Sequence, residues 1–228
     1  MSDIFHDYMS KRLDDLELSN LKTKPGPVIT FSRLAGCSSP KIASELAAKL
    51  NSEAQKPLWK VISKEVLHEA AQKLQLEPKK IKTIFKSHDR SVLDDIMQAF
   101  LSKDYQLEKK MRNTVLNVIR NFAIKGHIII VGRGSSIICS DIENALHVRI
   151  VAPLEWRIHK VMSSKKYNHE EAVHCIDKIE KERSHFRQSI KGKLVHSEDF
   201  DLTINQSKYN NDEIIEIISA ALRIKNSI

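Results

Sequence analysis

Glycine and proline are scarce in this chain, six of each in 228 residues, and cysteine is scarcer still at three. So little glycine and proline excludes a collagen-like or low-complexity polymer. The cysteines, at 37, 139 and 175, are odd in number and far apart, which predicts reduced thiols rather than a disulfide framework; no CxxC pair suggests zinc. Long apolar runs are missing too. The first twenty residues, MSDIFHDYMSKRLDDLELSN, alternate charge with apolar side chains and predict neither a secretion signal nor a membrane span. These absences lead us to expect a cytoplasmic protein with no membrane contact. No metal-ligating residue is expected either: His169 and His174 are five apart, which rotates one off the face a helical zinc site needs, and the HEAAQ stretch at 68–72 has no second histidine.

What is present is an ordered globular composition, 41% hydrophobic, at a length that fits one large α/β domain or a core with helical insertions. Thirty-seven Lys and Arg against twenty-nine Asp and Glu leave a net charge of +8. That excess favours anionic partners: phosphorylated small molecules, nucleic acid or acidic surfaces. The basic residues are scattered along helical segments, with no nucleic-acid-binding signature beside them, so nucleic acid is not expected as a partner.

Periodicity organises the chain into alternating strands and helices. An accessory helix is expected over residues 3–20, followed by a TKPGP turn at 23–27, so that residues 1–26 form a helix and linker ahead of a domain at 27–228. Strands are expected at Val28–Phe31, 58–62, 127–134, 145–151 and 201–205, and helices after the first strand, at 63–74, from about Glu155, at 168–188 and at 211–224. Residues 77–125 read as mostly helical and interrupt the alternation. The result is an α/β fold: five strands, mostly parallel, with helices on both faces.

The stretch VITFSRLAGCSSPKIASELAAKL, residues 28–50, passes from a buried strand through Gly36 into a helix. Ligands in open parallel sheets bind beyond the carboxyl ends of the strands, where loops meet helix N-termini. Ser39 is the expected N-cap and Pro40 the first helical residue, while Gly36 lets the backbone turn toward an oxyanion that the free N–H groups and helix dipole favour. No register supplies the Walker spelling, two glycines four residues apart followed by Lys and Ser or Thr. The loop alone therefore fits a phosphate cradle and an ordinary strand-to-helix turn equally. Arg133, at a strand end between Gly132 and Gly134, reads as functional because small neighbours permit close ligand approach. Cys37 reads as a small loop filler whose pKa the helix terminus would lower.

Five blocks in order carry a resemblance: ITFSR…G…IA (29–43), IIIVGRG (128–134), APLEWRI (152–158), DKIEKER (177–183) and DLTINQS (201–207). They resemble the cytidylate kinase-like family of P-loop proteins over about residues 28–222. The resemblance implies a P-loop NTPase-type three-layer sandwich with a phosphate loop after the first strand, a helical acceptor region at 77–125 and a lid at 163–192. It also implies ATP, Mg²⁺ and nucleotide substrates. Carried over block by block, Gly36, Cys37, Ser38 and Ser39 hold donor phosphates, with Arg33 or Lys41 supplying charge. Arg133, Arg157 and Arg183 are implied as catalytic. Gly132, Arg133, Asp177 and Arg187 are implied on the acceptor side, and Asn205 beside the donor base. Ser39 stands where an ordinary phosphate loop has its lysine, which the resembled family commonly lacks too, Lys41 where such a loop has the magnesium-binding Ser or Thr, and Gly134 where cytidylate kinases have Asp. Two functions follow as expectations: phosphoryl transfer from ATP to a nucleoside monophosphate, or a nucleotide- or anion-binding regulatory module with little turnover. Oligomeric state is not legible.

Overall fold

A computed structural model of the chain describes residues 26–54, 59–62, 116–191 and 196–226. The expected helices at 3–20 and 63–74, and most of the helical stretch 77–125, lie outside the described residues. Five strands are present: β1 (Val28–Arg33), β2 (Lys60–Ile62), β3 (Ile128–Val131), β4 (Ala145–Val151) and β5 (Leu202–Asn205). They form one sheet in the order β2-β3-β1-β4-β5, and every pairing in it is parallel. β4 has the bounds expected from the sequence. β3 stops at Val131, because Gly132, Arg133 and Gly134 all turn to positive φ and end the extended run.

β1 and β3 are buried along both faces, which is why each reads as a nearly continuous apolar run instead of alternating. On one face Ile29, Phe31, Ile129 and Ile150 pack under α1 (Ser39–Glu53) and α5 (Asn211–Asn226), through Ile42 and Leu46 of the first and Ile214 and Ile218 of the second. On the other face Val28, Ile128 and Ile130 meet Val118, Ile119 and Ala123 of the helical stretch 116–125. The sheet is thus the middle of three layers. A short helix α2 (Ser135–Ile138) follows β3, and α3 (Leu154–Lys165) follows β4. α3 packs on α4 (His169–Lys191) through Ile158, Val161, Ala172 and Ile176, with Ala35 of the first loop set among them.

At the edge, the side chain of Asn51 brackets Trp59, accepting from its N–H at 2.8 Å and donating to its carbonyl at 3.0 Å. Trp59 is buried and stands edge-on to His127.

One polar network sits within the sheet. Thr30 Oγ1 and His147 Nδ1 are 2.7 Å apart, and the His147 backbone N–H donates to Asp201, which also accepts from Lys225. Burial, with Lys225 adding to it, holds the imidazole below its ordinary pKa although Asp201 pulls the other way. The unfolded chain therefore takes up this proton first as pH falls below about 6.5, and stability is lost on the acid side. Unfolding free energies from urea titrations at pH 7.5 and 5.5 are expected to differ more for the wild type than for His147→Gln, by up to about 1 kcal/mol. Parallel pH slopes in the two proteins would show that the network does not titrate this way.

Candidate phosphate-binding site

The loops after β1 and β3 leave the sheet side by side, with the Gly132 N–H donating to the Phe31 carbonyl at 2.8 Å. After β1 the chain turns at Gly36, φ +91°, where an added Cβ would lie 2.8 Å from Arg157 Cβ and 2.9 Å from the Arg157 carbonyl oxygen. Only glycine fits a left-handed turn pressed against another backbone. Helix α1 is capped by Ser38, not Ser39 as expected: Ser38 has the non-helical backbone and Ser39 begins the helix, its buried Oγ without a hydrogen-bond partner among the described residues. Pro40 stays within the first turn, where a missing N–H costs nothing.

The loop amides are less open to a ligand than the sequence suggests. Leu34 N–H donates to the Ile150 carbonyl and Cys37 N–H to the Leu34 carbonyl, while Ala35 N–H donates to Glu180 Oε1 at 2.8 Å and Ser38 N–H to Gln206 Oε1 at 3.0 Å. Among the described residues this leaves an anion the amide of Gly36 and those of the first turn of α1. Burial raises the Cys37 thiol to about 11, against the partial opposition of Arg157, so the expected lowering by the helix terminus does not occur. Cys37 is a buried filler and no nucleophile at neutral pH.

After β3, Arg133 takes φ +59° between Gly132 at +75° and Gly134 at +67°. A left-handed non-glycine residue costs about 1 kcal/mol, and such strain persists where the surroundings hold it for a purpose. Burial lowers the Arg133 pKa to about 10, and the charge of Arg183 lowers it further. Among the described residues Arg133 has no carboxylate or hydrogen-bond acceptor.

Both loops border an open cavity of about 740 Å³, flanked also by α3 and α4. Six basic side chains line it, Arg33, Lys41, Arg133, Lys160, Arg183 and Arg187, against a single described carboxylate, Glu182. Lys160 also lies over the Trp156 ring, 5.0 Å from its centre. Such a surplus in a walled cleft concentrates anions.

Of the residues singled out in the sequence, Arg33, Gly36, Cys37, Ser38, Lys41, Gly132, Arg133, Arg183 and Arg187 meet at this cavity. Ser39, Arg157, Asp177 and Asn205 are not part of its lining. Asp177 is exposed on α4, and Asn205 Oδ1 accepts from the amide and hydroxyl of Ser207. Arg157 is turned to the loop instead. Its Nε donates to the Ala152 carbonyl, and its Nη1 meets the Ala35 carbonyl at 3.2 Å and Glu180 at 3.3 Å. Sequence reasoning missed Lys160, Glu182 and Phe186 in the lining, and Glu180 and Gln206 behind the loop. A signal existed for Lys160, which lies one turn after Arg157 on α3.

The groups present fit a polyphosphate through guanidinium forks, ammonium groups and helix-start amides. For Mg²⁺ the fit is narrower. No cluster of three or more His, Cys, Asp or Glu side chains occurs among the described residues, so the ion would be held chiefly through phosphate oxygens, with Glu182 as the protein carboxylate. No described helix is long and apolar enough to cross a membrane.

The family model described as the cytidylate kinase-like family matches residues 28–208. Curated protein sequences contain no match. Among solved structures, an uncharacterised protein from Eubacterium ventriosum ATCC 27560 is similar at 20% identity and a TM-score of 0.63, over 86% of this chain and 98% of that one. Shikimate kinase from Acinetobacter baumannii is similar at 14% identity and a TM-score of 0.48, over 90% of this chain and 97% of that one. APS kinase from Mycobacterium tuberculosis is similar at 14% identity and 0.47, over 88% and 99% respectively. With the family model spanning residues 28–208 and the sheet ordered β2-β3-β1-β4-β5, the chain has the P-loop kinase fold and belongs to the cytidylate kinase-like family.

Proposed function

We propose that the chain transfers the terminal phosphoryl group of ATP to a nucleoside monophosphate. The observation that carries this is Arg133, held in a left-handed backbone with its guanidinium unpartnered among the described residues, in a cavity with five further basic side chains. An oxygen of the acceptor phosphate attacks the terminal phosphorus, the bond to the bridging oxygen breaks, and ADP leaves. Charge spreads over the three transferring oxygens, and positioned cations stabilise it. Arg133 and Arg183 face that group, Arg187 and Lys160 close over it from the lid at 163–192 and from α3, and Arg33 with Lys41 supplies the charge that a loop lysine gives elsewhere. Mg²⁺, when bound to the nucleotide, would neutralise phosphate charge and orient the donor. The acceptor region is residues 77–125. Three unbonded thiols suit a reducing cytoplasm.

A second reading, a nucleotide- or anion-binding regulatory module with little turnover, is favoured by the engaged amides of Ala35 and Ser38 and by buried Ser39 at the lysine position. Calorimetric titration with a non-hydrolysable ATP analogue, run beside a transfer assay with ATP, Mg²⁺ and a panel of nucleoside monophosphates, separates the two. Binding with transfer is the expected result. Binding without transfer selects the second reading, and a chain that does neither overturns both.

A further inference from the structure

Both peptide groups of Ala35, at the heart of the first loop, are held by one ion pair from other parts of the chain. Its N–H donates to Glu180 Oε1 at 2.8 Å, and its carbonyl accepts from Arg157 Nη1 at 3.2 Å. The same Nη1 meets Glu180 Oε1 at 3.3 Å and closes the ring. Three residues along α4, Arg183 Nη1 donates to the carbonyl of Arg33 at 2.9 Å. Residues three apart on a helix share a face. One turn of α4 therefore grips the loop twice, taking an N–H at residue 35 and supplying a donor to the carbonyl at residue 33.

The Glu180 half of this grip lies behind the loop, whereas Arg183 and Arg33 also line the cavity. Neither Ala35 nor Glu180 belongs to the cavity lining, and Ala35 is buried at 2% exposure among the apolar contacts of α3 and α4. Glu180 thus shapes the loop from outside and does not occupy the place of a ligand. The front of α4 faces the cavity through Glu182, Arg183, Phe186 and Arg187.

We propose that Glu180 is a positioning residue that ties the shape of the phosphate loop to the docking of α4, so that the loop amides are set for an anion only while α4 is seated. Hydrogen bonding by the carboxylate at full side-chain reach does this, with Arg157 orienting the carboxylate. An uncompensated loss of reach therefore matters more than a loss of charge.

The test compares Glu180→Asp, which keeps the charge and draws the oxygen back by one methylene, with Glu180→Gln, which keeps the reach and removes the charge. Amide hydrogen exchange of the full chain is followed in peptides covering 33–39, alongside the thermal midpoint. E180D is expected to speed exchange in that loop roughly tenfold, the size of one ordinary hydrogen bond, without a comparable change in the β4 core. E180Q is expected to keep the loop protected. Wild-type loop exchange in E180D, or equal acceleration in both variants, overturns the proposal; so does acceleration that only follows a global fall in stability. The kinetic arm rests on the phosphoryl-transfer reading: E180D raises the KM for ATP by more than it lowers kcat, and a fall confined to kcat counts against the proposal. If the wild type transfers no phosphate, the transfer reading fails while the exchange experiment still decides the role of Glu180.

Discussion

Arg133→Met is expected to lower phosphoryl transfer about a thousandfold while raising the melting temperature by a few degrees. The loss corresponds to about 4 kcal/mol of transition-state stabilisation, the range of an arginine aimed at a transferring phosphoryl group. The gain in stability has an independent cause. Burial and the neighbouring Arg183 lower the Arg133 pKa to about 10, so the folded protein holds this proton less firmly than the unfolded chain does. A basic group shifted down in this way costs stability at neutral pH, and the cost fades only as pH rises through about 10. Methionine has no charge to desolvate and keeps most of the packing volume. Arg133→Lys should fall between, since an ammonium keeps the charge and loses the two-pronged contact. Steady-state assays and thermal unfolding of the three proteins check both halves. A methionine variant that melts lower than wild type, or keeps its rate, would remove Arg133 from the role assigned to it.

Gly36→Ala should be strongly damaging, because the added methyl group meets the backbone of another element beside the cavity. Its Cβ would meet three atoms of Arg157, Cβ at 2.8 Å, the carbonyl oxygen at 2.9 Å and Cα at 3.1 Å, in a backbone conformation that alanine disfavours. Two of those atoms belong to the backbone of α3, so relief requires the loop or the helix to move. We expect a loss of about 2–4 kcal/mol, near 5–10 °C in melting temperature, together with loss of nucleotide binding. Gly132→Ala is the control. It carries similar left-handed strain, φ +75°, but its added carbon meets only the mobile end of Arg33, at 3.0 Å. Calorimetric melting of both variants isolates the clash; equal losses would show that Arg157 yields freely.

The fold was legible because burial on both faces of the central strands leaves a direct mark on composition. The runs at 28–31 and 128–131 are apolar apart from Thr30, and β4 is bounded by Asn144 on one side and by Ala152 and Pro153 on the other. The cavity was legible where function sits on strand ends, as for Arg33 and Arg133, since topology alone brings those ends together. It was not legible where it depends on the rotation of a helix. Asp177 and Arg183 belong to one charged block, yet only Arg183 lies on the face of α4 that borders the cavity. Arg157 looked like a free cation because its acceptors at Ala35 and Glu180 are 122 and 23 residues away. Gln206 stood next to the chosen Asn205, but its partner, the Ser38 amide, is 168 residues distant. Ser39 shows the limit of reasoning by motif position. Fully buried, it offers no room for the ammonium of a restored lysine, so a Ser39→Lys protein tests folding before it tests catalysis.

The chain has only two tryptophans, and they stand in different neighbourhoods. Trp59 is clamped by Asn51 at the sheet edge, whereas Trp156 lies under Lys160, whose side chain lines the basic cavity. An anion that draws the ammonium off the Trp156 ring changes the emission of one indole and leaves the other as an internal reference. Trp156 emission is therefore expected to report occupancy of the cavity, and replacing either tryptophan with phenylalanine assigns the signal without any added dye.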